Sequence, residues 1–122
     1  MQVILPWPPK ELSPNKRIHW AQKSKIAKQY RHACHMLTKQ AGMAVDWDGD
    51  IHLSIMFYPP DRRRRDDDNA IASFKAGRDG MADALGVDDK RFRTHPWLSD
   101  EIGGYVKITI SREYEEKKCP SS

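Results

Sequence analysis

Ile51, Leu53, Ile55 and Phe57 alternate with His52, Ser54, Met56 and Tyr58, a period of two that predicts a strand with one buried face. Tyr105 to Ile110 repeats the pattern, with Val106, Ile108 and Ile110 inward. Gln2 to Leu5 predicts a shorter strand, stopped by Pro6-Trp7-Pro8-Pro9, where each proline fixes its own φ and restrains the residue before it. The basic run Lys90-Arg91-Phe92-Arg93-Thr94-His95 predicts a fourth strand, ended by Pro96.

Between these stretches the apolar spacing changes to three and four. Ser13-Pro14-Asn15 offers helix-starting chemistry, and the chain then runs without Gly or Pro to Ala41-Gly42. Within it Ile26, Tyr30, Ala33, Leu37 and Ala41 form a stripe that would pack on a sheet. A second helix is expected from a cap at Asp67 or Asp68 to Gly86, with Ile71, Phe74, Met81 and Leu85 on its core face. At 100° per residue, Asp68, Ala72, Lys75 and Asp79 share a neighbouring stripe. Gly77 and Gly80 weaken such a helix, which suggests close packing against them. The order is β-α-β-α-β-β: an α+β single domain, residues 1–112, in which two helices cover one face of a four-stranded mixed sheet, followed by a polar, frayed tail at 113–122.

Composition narrows the class. With 122 residues, 39% hydrophobic and 31% charged, the chain suits one domain with a modest core. No run reaches membrane-spanning length, and Met1-Gln2-Val3-Ile4-Leu5 lacks the basic leader of a signal peptide. Two cysteines, Cys34 and Cys119, give no disulfide framework, so a reducing cytoplasm is expected. The net charge is only +4, but Leu12 to Val45 holds seven Lys/Arg and no acid. That segment is a cationic face suited to a phosphate backbone.

The strongest chemical signal is Asp61-Arg62-Arg63-Arg64-Arg65-Asp66-Asp67-Asp68-Asn69, with Lys75 and Asp88-Asp89 after it. Four arginines in a row repel one another, as do three aspartates; a polyanion relieves the first set and a divalent cation the second. Asp66, Asp68 and Asp89 are the hard oxygen ligands that Mg²⁺ takes, and a metal-bound water can attack a phosphodiester. Lys75 would hold a non-bridging oxygen or the leaving group, making Asp66, Asp68, Lys75 and Asp89 the catalytic set. Arg62, Arg63, Arg64 and Arg65, Asn69, and Lys16, Arg17, Lys23, Lys25 and Lys28 would bind the nucleic acid. By itself D-x-D plus a remote Asp also suits glycosyl- and nucleotidyltransferases. Two other groupings fall short of a metal site: His32, Cys34 and His35 lack a fourth ligand nearby, and Asp46 to Asp50 lacks calcium-loop spacing.

Leu5-Pro6-Trp7-Pro8-Pro9, then Pro60-Asp61-Arg62-Arg63-Arg64-Arg65-Asp66-x-Asp68-Asn69, then Leu85 and Asp88-Asp89 resemble, in order and spacing, the RusA-type Holliday junction resolvases of bacteria and their phages. The resemblance covers nearly the whole chain. It implies a homodimeric, Mg²⁺-dependent endonuclease cutting four-way DNA junctions symmetrically, with Asp66, Asp68 and Asp89 matching the family's essential acids. In the best-known members the catalytic lysine lies one turn after the second Asp of D-x-D, where this chain has Ala72; Lys75 takes the role here. Asp67 fills a position that is usually apolar. The alternatives are a junction-binding protein that does not cut and a metal-dependent ribonuclease of the same fold.

Overall fold

The computed structural model describes residues 1–62 and 67–114, with Asp67 by its backbone alone. Four strands, β1 (Gln2–Pro6), β2 (Ile51–Tyr58), β3 (Phe92–Leu98) and β4 (Tyr105–Ser111), form one sheet in the order β1-β4-β2-β3. β4 runs antiparallel to both β1 and β2, whereas β2 and β3 are parallel. Three helices, α1 (Trp20–Gln40), α2 (Asp67–Ser73) and α3 (Lys75–Leu85), complete the α+β domain. No helix among the described residues is long and apolar enough to cross a membrane. Of the expected tail, Glu113 and Tyr114 are described, and residues 115–122, Cys119 among them, lie outside the described residues.

The period-two stretches behave as their spacing dictates except at Met56, which is buried although it lies on the other face of β2. Ile51, Leu53, Ile55 and Phe57 are buried with Val106, Ile108 and Ile110, and Val3 and Leu5 join them from β1. Tyr30 and Cys34 of α1 and Phe74 and Met81 of the second helical region cover this face. Burial drives the Cys34 thiol up to about 12, so it stays protonated.

Four expected boundaries move, each for a local reason. Ser13 to Lys16 is a turn, its Ser13 carbonyl accepting the Lys16 N–H at 3.0 Å, so its capping chemistry is consumed there. The helix starts instead at Trp20, capped by His19 Nδ1, which accepts the Ala21 N–H. Of its expected stripe Tyr30 is buried and Ile26 and Leu37 pack partly buried against the core, while Ala41 is exposed; Cys34 and Thr38, one position on from Ala33 and Leu37, complete the buried face. Thr38 is tolerated inside because its hydroxyl donates to the Cys34 carbonyl at 2.7 Å.

The expected second helix is divided at Phe74, whose ring sits edge-on to both Tyr30 and Phe57. Ile71, expected in the core, is consequently 40% exposed. β3 begins later than expected and runs through Pro96, because it is an edge strand and the missing N–H has no neighbour to serve. Lys90 and Arg91 belong to a 3₁₀ turn instead.

The two glycines of α3 explain how the helix layer closes. A methyl group on Gly80 would stand 2.2 Å from the Arg31 carbonyl oxygen of α1, and one on Gly77 would meet the rings of Phe74 and Tyr30. Backbone therefore touches backbone where α3 crosses α1. Beside the crossing Arg31 grips Asp83 through both Nε and Nη2, at 2.7 and 2.9 Å. Both side chains are about half exposed, so this fork adds orientation more than stability.

On the opposite sheet face, His52 Nδ1 lies 2.9 Å from His95 Nε2, and the Tyr114 ring stacks on His95 at 3.5 Å between centroids.

Two outcomes follow. Gly80→Ala gains about 1 kcal/mol of helix propensity but overpacks a backbone contact costing about 1 to 3 kcal/mol. The urea midpoint should fall, and Gly77→Ala, which meets side chains, should be milder. Burial and then His52 lower the His95 pKa below its ordinary 6.5. The unfolded chain therefore takes up the proton first, so stability is intact above about 6.5 and declines as pH falls through that value toward the folded pKa. His95→Gln should remove this decline, read as urea midpoint against pH, while the carboxylate-linked loss at lower pH remains.

Candidate functional site

The chain leaves β2 through Pro59 and Pro60. The Gly103 N–H donates to the Pro59 carbonyl and the Gly104 N–H to that of Tyr58, each at 2.8 Å, which ties the root of the arginine block to the turn before β4. Gly104 can serve because its φ of 75° suits glycine. Arg62 is exposed at this root, and Arg63, Arg64, Arg65 and Asp66 lie outside the described residues. α2 begins at Asp67, so Asp68 falls inside the helix.

Asp68 is exposed and lines a cavity of about 210 Å³ with Phe57, Ile71, Trp97 and Leu98. Asn69 is half-buried beside it, and its carbonyl accepts the Ser73 hydroxyl at 2.7 Å. Lys75 lines an adjoining cavity of about 170 Å³, together with Ala72, Arg78 and Thr94. The two cavities share Phe57, Ile71 and Pro96 as walls. Asp68 and Lys75 are thus neighbours along one groove between the α2–α3 corner and the β3 edge, even though the helix between them is broken. Ala72 and Lys75 open into the same cavity, so a lysine at either position serves the same space.

Asp89 begins the 3₁₀ turn Asp89–Arg91 that feeds β3. Asp88 caps that turn by accepting the Lys90 N–H at 2.9 Å, and this hydrogen bond holds the Asp88 carboxyl below the usual carboxylate range. Arg91 fixes the turn to the start of β2 by donating to the carbonyls of Gly49 and Trp47, at 2.8 and 2.6 Å. The Asp89 carboxylate lies 4.0 Å from Arg78 Nη2.

These positions separate the acids. Asp68 stands by Trp97 and Leu98 at the far end of β3 and Asp89 by its beginning, with the seven residues of the strand, about 20 Å end to end, between the two positions. The carboxylates suit a hard divalent cation, whose ligands lie about 2 Å from it in the case of Mg²⁺. Among the described residues no three His, Cys, Asp or Glu could hold a metal together.

Of the cationic residues, Lys16 and Arg17 are exposed ahead of α1, and Lys23 Nζ donates to the Ser13 carbonyl at 3.2 Å, bracing that turn. Lys25 and Lys28 line a shallow depression with Trp20, Ser24 and His32 on the outer face of α1. Trp20 is 76% exposed and stacks on His19 at 5.8 Å. The spacing argument passed over Trp20 and gave Arg78 no role in the site. A tryptophan inside an acid-free cationic segment and a second cation three residues after Lys75 were the available signals. The grouping of His32, Cys34 and His35 is divided, with Cys34 in the core and the stacked histidine rings outside it.

No protein-family model matches the chain. An "Uncharacterized protein" of Xylella fastidiosa (strain Temecula1 / ATCC 700964) is 49% identical to it over 114 residues, a match covering 89% of this chain and 74% of that protein. With that identity and coverage, this chain belongs to the same family as the Xylella fastidiosa protein.

Proposed function

We propose that the protein is a Mg²⁺-dependent endodeoxyribonuclease that resolves four-way DNA junctions as a homodimer in the cytoplasm. The observation that carries this reading is the groove along β3, where Asp68 and Lys75 open into adjoining cavities. Exposed lysines on an acid-free helix supply the sequence-independent grip on phosphates that such an enzyme needs. The free, buried Cys34 suits a reducing compartment.

The separation of Asp68 from Asp89 supports the dimer. A two-fold axis would set the Asp89 end of one chain against the Asp68 end of the other, and give two equivalent sites for two matched nicks. A divalent cation bound there supplies charge neutralisation and an acidified water. Lys75 then holds a non-bridging phosphate oxygen as charge develops, Arg62 to Arg65 clamp the flanking backbone, and Lys16, Arg17, Lys25 and Lys28 carry the arms.

Purified protein with Mg²⁺ should cut a synthetic four-way junction and leave a plain duplex and a structured RNA intact. Cutting of the RNA alone would make it a ribonuclease, and binding without cutting would leave only a junction binder. Lys75→Ala should bind the junction normally and lower single-turnover cleavage by about two to three powers of ten. Lys25→Ala and Lys28→Ala should weaken binding to all junction sequences alike and make the salt dependence shallower by about one unit per lost contact.

A further inference from the structure

The guanidinium of Arg31 shows what a filled arginine fork looks like in this protein: Nε and Nη2 each reach one oxygen of Asp83, at 2.7 and 2.9 Å. Arg78 presents the same edge without such a partner. Its Nε is buried and has no hydrogen-bond acceptor among the described residues, and its Nη2 lies 4.0 Å from the Asp89 carboxylate, beyond hydrogen-bonding distance. A buried donor left unmade is costly, and a guanidinium fork matches the paired oxygens of a phosphate as well as those of a carboxylate.

Lys75 lines the same cavity of about 170 Å³, one turn before Arg78 on α3. Apart from Thr94 the other walls, among them Ile55, Phe57, Ile71, Phe74 and Pro96, are apolar, which lowers the local dielectric and strengthens charge pairing there. We propose that Arg78 and Lys75 form an oxyanion subsite for one phosphate of the nucleic-acid backbone, with Arg78 donating through its Nε–Nη2 edge and Lys75 through its ammonium. The subsite rests on the nuclease reading for the identity of its ligand. The Arg78 side chain as a whole is 30% exposed while its Nε is buried, so a phosphate enters from the Nη side and a small turn of the side chain brings Nε onto it. Arg78 thereby fixes the phosphate that Lys75 acts upon, which separates this site from the arginine run.

The test is a titration of the full chain, without metal, with inorganic phosphate and then with a thymidine dinucleotide, followed by the Arg78 Nε–H resonance in a ¹⁵N-arginine spectrum. Both ligands should shift that resonance and leave that of Arg31 in place. Arg78→Lys keeps the charge but loses the fork, so its affinity for phosphate should fall about tenfold while its other arginine resonances report an intact fold. A resonance that phosphate leaves unmoved, or an Arg78→Lys protein that binds phosphate as the wild type does, overturns the subsite; if that protein still cuts junctions, the nuclease reading survives. A protein that shows the shift yet cuts no junction keeps the subsite and loses the nuclease.

Discussion

The parallel pairing of β2 with β3 is the constraint on which the rest depends. Two parallel strands cannot be joined by a hairpin, so the chain must cross back over the sheet between them, and α2 and α3 are that crossover. The four candidate catalytic residues, Asp66, Asp68, Lys75 and Asp89, all fall in the sequence between these two strands. The direction of the crossover also decides the chemistry open to one chain, because a crossover that leaves the end of one strand to reach the start of the next carries Asp68 and Asp89 to opposite ends of the groove.

How closely the crossover lies on the rest of the domain is set at two places. Gly80 lets α3 touch the backbone of α1, and Phe74, at the break between α2 and α3, plants its ring between Tyr30 and Phe57. The break turns Ile71 outward into the two cavities rather than into the core. Depression of the helix layer at this corner and exposure of Lys75 and Asp68 beside it are one structural event. On the far side, α1 is held to the core by Tyr30, whose hydroxyl donates to the Pro6 carbonyl, leaving Lys25, Lys28 and Trp20 to face outward.

Much of the fold could be read from spacing because burial there is set within a few residues. The alternation of Ile51 to Phe57 and of Val106 to Ile110 admits one inward face, and both strands follow it, with Met56 alone buried on the other side of β2. The helical regions were legible in extent but not in detail. Cys34 and Thr38, not Ala33 and Ala41, fill the buried face of α1, since the phase of that helix is decided by what the sheet offers. Nothing in the residues near Phe74 announces a break, because two aromatic rings from distant elements hold it. The candidate acids could be chosen by type and order, whereas their separation depends on which end of a strand each occupies. Arg78 became visible only when its unfilled edge could be compared with the Arg31 fork.

The central claim is that the acids at the two ends of the groove act together only across two copies of the chain. It is tested most directly by mixing two inactive proteins, Asp68→Asn and Asp89→Asn, after co-refolding to exchange subunits, and measuring nicking of a four-way junction. If the site is shared, each mixed dimer keeps one intact set, Asp68 from one chain and Asp89 from the other, and single-strand nicking should return in the mixture alone. A mixture as inactive as its parents, with exchange confirmed by differently tagged chains, would contradict the account.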